Sequence, residues 1–504
     1  MILVRCSLIL TFLWTSASAA DRPNILLFLV DDMGVGDTSV PFFYRDGKPV
    51  KIDQNDLYRT PNMETLAASG LLFTNAYAYS VCSPTRISLM TGLEAPRHRV
   101  TTWTHPKDSQ VDTGFVKTGN LRSPSNWRLT GLDRSLPLLP RLLREVGYRT
   151  IFAGKAHFGP DDTLSGNPTN LGFDVNIAGF GGGGPGSYWG THHYSANHRT
   201  GANVWDVPGL EKYHGTETFL SEAITHEMNL EIERAVNDGE RFFAYMSHYA
   251  VHAPWSYPDS RFVKNYPSLK GQGLAFATLV EGMDHSLGQM LSELQRLGVA
   301  EETLVIFVSD NGSAWSSNAP YRDKKGSRYE GGVRVPLIVG WAKADPNHPL
   351  QKRFPISAKS VEHDLVTCVD LMPTILKIAG VQTEEGINVD GYDISPYFFG
   401  IEGTHRPQVF LNHFPHRHRN TLFSSLRVDN WKIIYNYASM TWELYDLKAD
   451  PRESENLVAR RKALAMELAK QMVEKLDSQE ALYPTNATSG EPVKPNLEQI
   501  DNRS

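Results

Sequence analysis

Four short, almost wholly apolar runs, each ending in a polar cluster, constrain this chain more than any other feature. Residues 24–30 run into Asp31-Asp32, and 149–153 into Gly154-Lys155-Ala156-His157. Residues 242–247 lead to His248 and His252, and 304–309 to Asp310-Asn311. Runs this short and this apolar are the pattern of strands covered on both faces. Segments of helical periodicity lie between them, over 60–69, 137–146, 218–236 and 274–297. Strand alternating with helix predicts an α/β fold with a mostly parallel central sheet flanked by helices. In open sheets of this kind ligands bind beyond the carboxyl ends of the strands. The polar clusters stand at those ends, so residues far apart in sequence are expected to meet in one cleft.

The chain changes character after about residue 390, which predicts a catalytic domain over 21–390 and a smaller C-terminal α+β domain over 391–482. The latter is expected to hold antiparallel strands, from the alternation over 421–437 and a further run over 443–447, and one amphipathic helix over 454–476. Residues 483–504 read as a flexible tail. Residues 1–20 read as a signal peptide: Arg5, an apolar core over 8–14, and the small residues Ala17-Ser18-Ala19 before the cleavage point. That predicts a secreted or periplasmic protein, and no later run is long enough to span a bilayer. Cys6 leaves with the leader, and Cys82 and Cys368 are too few for a disulfide framework. Cys368 sits in an apolar, helix-like stretch over 366–376 and reads as an inert core thiol. A net charge of -6 argues against a nucleic-acid partner, while leaving room for a local basic pocket.

Asp31-Asp32 and Asp310-Asn311 each follow an apolar strand. Three carboxylates and an amide are all oxygen donors, a set suited to a hard divalent cation. Buried together without one, the carboxylates would repel each other. For either pair alone, a helix cap or a turn explains the residues as well; both pairs at strand ends favour the metal.

Cys82-Ser83-Pro84-Thr85-Arg86 is the sharpest motif. It resembles the signature of the type I sulfatases, formylglycine-dependent members of the alkaline-phosphatase-like superfamily. The residues that follow strengthen the likeness. Gly154-Lys155-Ala156-His157-Phe158-Gly159, His252-Ala253-Pro254, and the long stretch from Lys325 to Pro336 are similar to further family elements in the same order. The resemblance covers about residues 22–457, and within the family it points to enzymes of the arylsulfatase and N-acetylgalactosamine-6-sulfatase type. One departure is Arg97-His98-Arg99-Val100, where members often have a His-Gly pair.

The resemblance implies that a formylglycine-generating enzyme oxidises Cys82 to an aldehyde, which as its hydrate attacks sulfur. It implies one calcium ion held by Asp31, Asp32, Asp310, Asn311 and residue 82. Arg86 would support these groups, and Lys155 and Lys325 would bind sulfate oxygens. His252, with Lys325, would protonate the leaving alcohol, and His157 would take the proton whose loss releases sulfate. Two groups are needed because one proton is delivered and another removed. The expected substrate is a sulfated saccharide. His192, His193, His198 and Arg199, with His413, His416 and Arg417, are candidates to contact it, because aromatic and basic groups together suit an anionic sugar. They read equally well as ordinary polar loop residues. The run Gly179–Gly186 reads as a flexible loop near the cleft, and Asn311-Gly312-Ser313 as a glycosylation sequon closed by burial. A phosphodiesterase or phosphonate hydrolase on the same scaffold, and an inactive glycan-binding protein, are the competing readings.

Overall fold

The computed structural model describes residues 22–197, 203–382, 387–401, 406–419 and 422–501. Residues 1–20, read as a leader, and the candidates His198 and Arg199 lie outside them. An eight-stranded sheet forms the frame. Its strands in chain order are β1 (Asn24–Val30), β2 (Leu71–Phe73), β3 (Tyr148–Gly154), β4 (Val175–Ile177), β5 (Arg241–Ser247), β6 (Thr303–Ser309), β7 (Leu337–Trp341) and β8 (Ser360–Glu362). Across the sheet they lie in the order β8-β2-β7-β6-β1-β5-β3-β4, and only β7 runs antiparallel to its neighbours.

The apolar runs have the physical cause expected of them. Ile25, Leu27 and Leu29 enter one core while Leu26, Phe28 and Val30 enter the other, so both faces of β1 are dry. Each such side chain contributes about 1.5–3 kcal/mol by leaving water. Helices α1 (Pro61–Ser69), α4 (Leu220–Asn237) and α5 (Gly271–Arg296) cover the second face. Helices α2 (Cys82–Thr91), α3 (Leu139–Glu145) and α6 (Leu371–Ile378) cover the first. Cys368 is buried there just ahead of α6. Among the described residues no helix is long and apolar enough to cross a membrane.

The C-terminal part is a four-stranded antiparallel sheet, β9 (Val409–Phe414), β10 (Phe423–Val428), β11 (Trp431–Asn436) and β12 (Thr441–Asp446), with one long helix, α7 (Lys462–Ser478). One face, with Leu411, Leu426, Ile433 and Trp442, packs on Leu468, Met472 and Leu476 of α7. The other face brings Phe414, Phe423, Ile434 and Tyr445 against Tyr329 and Val81, the residue before Cys82. The small sheet therefore backs the site.

Two expectations are corrected. The C-terminal helix begins at Lys462 rather than at Ser454. Asp450 accepts the amides of Ser454 and Glu455, and Asn456 bonds Leu444 N and Trp442 O, so the segment is pinned as a turn on β12. The expected flexible tail instead packs. Thr485–Asn486 pairs with Leu121–Arg122, Trp442 Nε1 donates to Asn496 O at 2.8 Å, and Ile500 is fully buried. Polar composition hid the few apolar side chains that anchor it.

Candidate active site

The polar clusters meet at the carboxyl ends of β1, β3, β5 and β6. Strand β1 lies between β5 and β6, so Asp31 and Asp32 leave it beside Asp310 and Asn311. Asp32 turns back in a left-handed conformation (φ 60°) and its amide donates to Asp310 Oδ1 at 3.0 Å. Helix α2 starts at Cys82 with no side-chain cap, so its first-turn N–H groups carry positive polarity toward this cluster. The Cys82 sulfur and one carboxylate oxygen each from Asp31 and Asp310 lie within 4.8 Å of one another.

Three cations interleave with the three carboxylates. Lys155 Nζ donates to Asp31 Oδ2 at 2.6 Å. Lys325 Nζ donates to Asp32 Oδ1 at 2.5 Å and lies 3.2 Å from Cys82 Sγ. Arg86, on the second turn of α2 and fully buried, donates to Asp310 Oδ2 at 2.9 Å, with its far nitrogen 3.6 Å from Asp31. Its other arm bonds Lys155 O at 2.8 Å and Ser247 Oγ at 2.7 Å, tying β3 and β5 to the helix. Sequence reading missed Ser247, which carries no motif signal.

The charges remain strained in one respect. Burial, and then Asp310, push the Asp31 carboxyl well above its ordinary pKa against the pull of Lys155. Asp32 goes the other way: burial would raise it, but Lys325 above all, and Lys155, outweigh that and hold it well below the carboxylate range. Burial pushes the Cys82 thiol up to about 11 despite both lysines. Asn311 Nδ2 donates to Asp32 Oδ1 at 2.8 Å, while its buried Oδ1 has no partner among the described residues. An orphaned amide oxygen beside three crowded carboxylates fits a divalent cation bound by oxygen. Asn311 is fully buried, which closes the sequon.

The two imidazoles flank the cluster. His252 Nδ1 bonds Ala253 O at 2.8 Å, leaving Nε2 3.6 Å from Asp32 Oδ2. His157 Nε2 bonds Thr104 O at 3.1 Å, leaving Nδ1 without a partner. Burial lowers both pKa values, to about 3 for His252, so both rings are neutral in this state. The glycine run reads differently in three dimensions than in sequence. Residues 179–186 are buried, and a Cβ on Gly183 would stand 2.7 Å from the His157 ring, one on Gly184 2.7 Å from His252 Nδ1. It is a packed strap across both imidazoles, where any side chain would collide. Four consecutive glycines were the available signal.

The candidate substrate contacts fare worse. His413 is buried inside the C-terminal part, bonded to Ser424 Oγ and Leu482 O, and His416 is buried between Thr101 Oγ1 and Gly114 O. Neither can reach a ligand, because both ring nitrogens of each are consumed by packing. His192 bonds Ser187 Oγ, exposed His193 stacks on His214, and Arg417 is exposed. His418 does stand near the cluster: its ring lies against Gly326, next to Lys325. His98 of the atypical 97–100 stretch is buried, its Nε2 3.1 Å from Ser88 Oγ on α2.

Comparison with known proteins decides the family. The sulfatase family model matches residues 23–381, and the model for the C-terminal region of N-sulphoglucosamine sulphohydrolase matches 321–481. This chain belongs to the sulfatase family. The sulfatase is 31% identical to N-acetylgalactosamine-6-sulfatase of Mus musculus over 78% of its own length and 69% of the relative's. It is 29% identical to arylsulfatase A of Homo sapiens, covering 78% and 71% of the two chains. Its fold is similar to the solved structure of Ps i-CgsB in complex with k-i-k-neocarrahexaose, with TM-score 0.71, 26% identity, and 90% and 93% of the chains covered. Phosphonate monoester hydrolase of Agrobacterium radiobacter shares the fold at TM-score 0.60 and 20% identity, covering 94% and 100%. The sulfatase is accordingly a sulfuric ester hydrolase with an alkaline-phosphatase-like α/β fold and a small antiparallel C-terminal sheet.

Proposed function

We propose that this sulfatase hydrolyses a sulfate ester on a carbohydrate or polysaccharide fragment, using a formylglycine made from Cys82 beside one calcium ion. The observation that carries the reading is the single buried cluster in which Cys82 opens a helix among Asp31, Asp32, Asp310, Asn311, Lys155 and Lys325. The relatives named N-acetylgalactosamine-6-sulfatase, and the neighbour bound to neocarrahexaose, support the saccharide. A leader over 1–20 supports export, where a maturation enzyme would meet the chain before it folds.

Asp31, Asp32, Asp310 and Asn311 would hold the ion, which supplies charge neutralisation as the ester bond breaks. A hydrated aldehyde at residue 82 supplies one hydroxyl to attack sulfur and a second whose deprotonation releases sulfate and restores the carbonyl. The side chains do the rest. Arg86, Lys155 and Lys325 balance the three carboxylates, so a divalent ion leaves two positive charges to receive a sulfate group. Lys155 and Lys325 bind its oxygens. His252 stands at the open side of the cluster; neutral on its own, its Nε2 takes up a proton as the anionic ester binds and, with Lys325, delivers that proton to the leaving oxygen. His157, whose unpartnered Nδ1 carries a free lone pair, accepts the proton of the second hydroxyl.

Peptide mass spectrometry across residue 82 in protein exported with a formylglycine-generating enzyme tests the nucleophile, and sulfate release from a panel of sulfated saccharides tests the reaction. An unmodified thiol in fully active enzyme overturns the aldehyde. Faster turnover of phosphonate or phosphodiester analogues than of any sulfate ester overturns the substrate class.

A further inference from the structure

A cavity of about 420 Å³ opens directly beside His252, and the chemistry above leaves it unused. It is lined by Trp205, Trp255, Pro185 and Pro254, together with Gln272 and His252. The Trp255 indole is fixed. Trp255 Nε1 donates to Val251 O at 3.0 Å, and its ring meets Trp315 edge-on at 5.0 Å. Trp205 O accepts Gly186 N at 2.7 Å, which ties the Trp205 backbone to the glycine strap. His252 is shared by the two sites: it lines the cavity while its Nε2 stands 3.6 Å from Asp32. An ester whose bridging oxygen takes its proton from His252 therefore places its alcohol part at the cavity that both tryptophans line.

From this we infer that the cavity is the subsite for the ring that carries the sulfate, and that this ring is a neutral pyranose: a hexose or an N-acylated hexosamine rather than a hexuronate. Flat apolar indole faces suit the C–H face of a sugar, and Gln272 and Ser256 offer hydrogen bonds to hydroxyl or amide groups. None of the described lining residues is a lysine or arginine. A ring carboxylate buried here would lose its hydration without gaining a cation. Charged groups on neighbouring sugars of a polymer would lie outside the cavity. The inference rests on the proposed saccharide activity and adds the identity of the ring.

The test uses the full-length matured enzyme. Initial rates are measured on a sulfated neutral hexose, a sulfated N-acetylhexosamine and a sulfated hexuronate, for wild type, Trp255→Ala, Trp255→Phe and Trp205→Ala. The wild type should prefer the neutral rings. Removing either indole should lower kcat/KM on them by on the order of ten- to a hundred-fold, mainly through KM. Trp255→Phe, which keeps an aromatic face, should fall between, with melting temperature and its calcium response maintained. Tryptophan variants that keep wild-type kcat/KM, or a wild type that prefers the hexuronate, overturn the subsite while leaving saccharide hydrolysis standing. A wild type that releases sulfate from none of the three overturns both.

Discussion

Replacing Arg86 with methionine tests the electrostatic logic of the site most directly. The guanidinium is fully buried, lies 2.9 Å from Asp310 Oδ2 and 3.6 Å from Asp31 Oδ1, and also satisfies Lys155 O and Ser247 Oγ. Methionine fills much of the volume but leaves two carboxylates short of a cation and a buried carbonyl short of a donor. Breaking a buried pair from one side costs about 3–5 kcal/mol, because the remaining charge is uncompensated. A chain of this length, unfolding as one unit, has an unfolding entropy of about 1 kcal/mol/K at its midpoint, so the expected fall in Tm is about 3–5 °C. The assay is thermal unfolding in chelator, followed by calcium titration. Because the ion supplies positive charge where the guanidinium was removed, the variant should gain more from calcium than the wild type does. A Tm within about 1 °C of wild type in chelator would refute the claim that Arg86 holds otherwise unpaired carboxylates.

Other outcomes follow from the same geometry. Calcium at a hundred times its dissociation constant should raise the wild-type Tm by about 3 °C over chelated protein, from about 2.7 kcal/mol of binding linkage. Asn311→Ala should blunt that rise, and an unchanged calcium response would remove Asn311 from the ligand set. Cys82→Ala should abolish sulfate release while moving Tm by no more than about 2 °C, since little side-chain volume is lost; retained turnover would exclude the nucleophile. Gly184→Ala must push His252 aside, and a displacement of this order costs roughly a hundredfold in rate; normal kcat would show that the ring position does not matter. Away from the site, burial raises the Asp284 carboxyl to about 6, although the Asn62 and Met63 amides donate to it. A folded-state pKa above the unfolded one means that the contribution of Asp284 to stability is fully present below about pH 4 and is lost, by about 3 kcal/mol, as pH rises through about 6. Asp284→Asn should flatten that part of the Tm–pH curve, and identical slopes would count against the buried charge.

Much of the site was legible before any fold was known, and for a local reason. A strand buried on both faces has to be a short unbroken apolar run, so the residues that end it stand out. Asp31, Asp32, Lys155, His157, Asp310 and Asn311, which the fold brings to one end of the sheet, were all singled out that way, and the motif around Cys82 suggested its own chemistry. The substrate candidates failed for the complementary reason. A histidine in a polar stretch reads the same whether it faces a cleft or, like His413 and His416, sits in the core with both nitrogens bonded. The helix expected from Ser454 failed similarly, since Asp450 and Asn456 bind that segment through contacts that helical periodicity cannot reveal.

By itself, then, the sequence determined the buried strands, the polar groups at their ends and the chemistry those groups can share, because each follows from residue type within a few positions of the chain. Tertiary structure alone decided which loop closes over the imidazoles, which aromatic rings wall the cavity beside His252, and how the small C-terminal sheet comes to rest against Val81. Those choices depend on distances between residues on separate elements of the chain, and only the completed packing of strap, sheet and helix sets them.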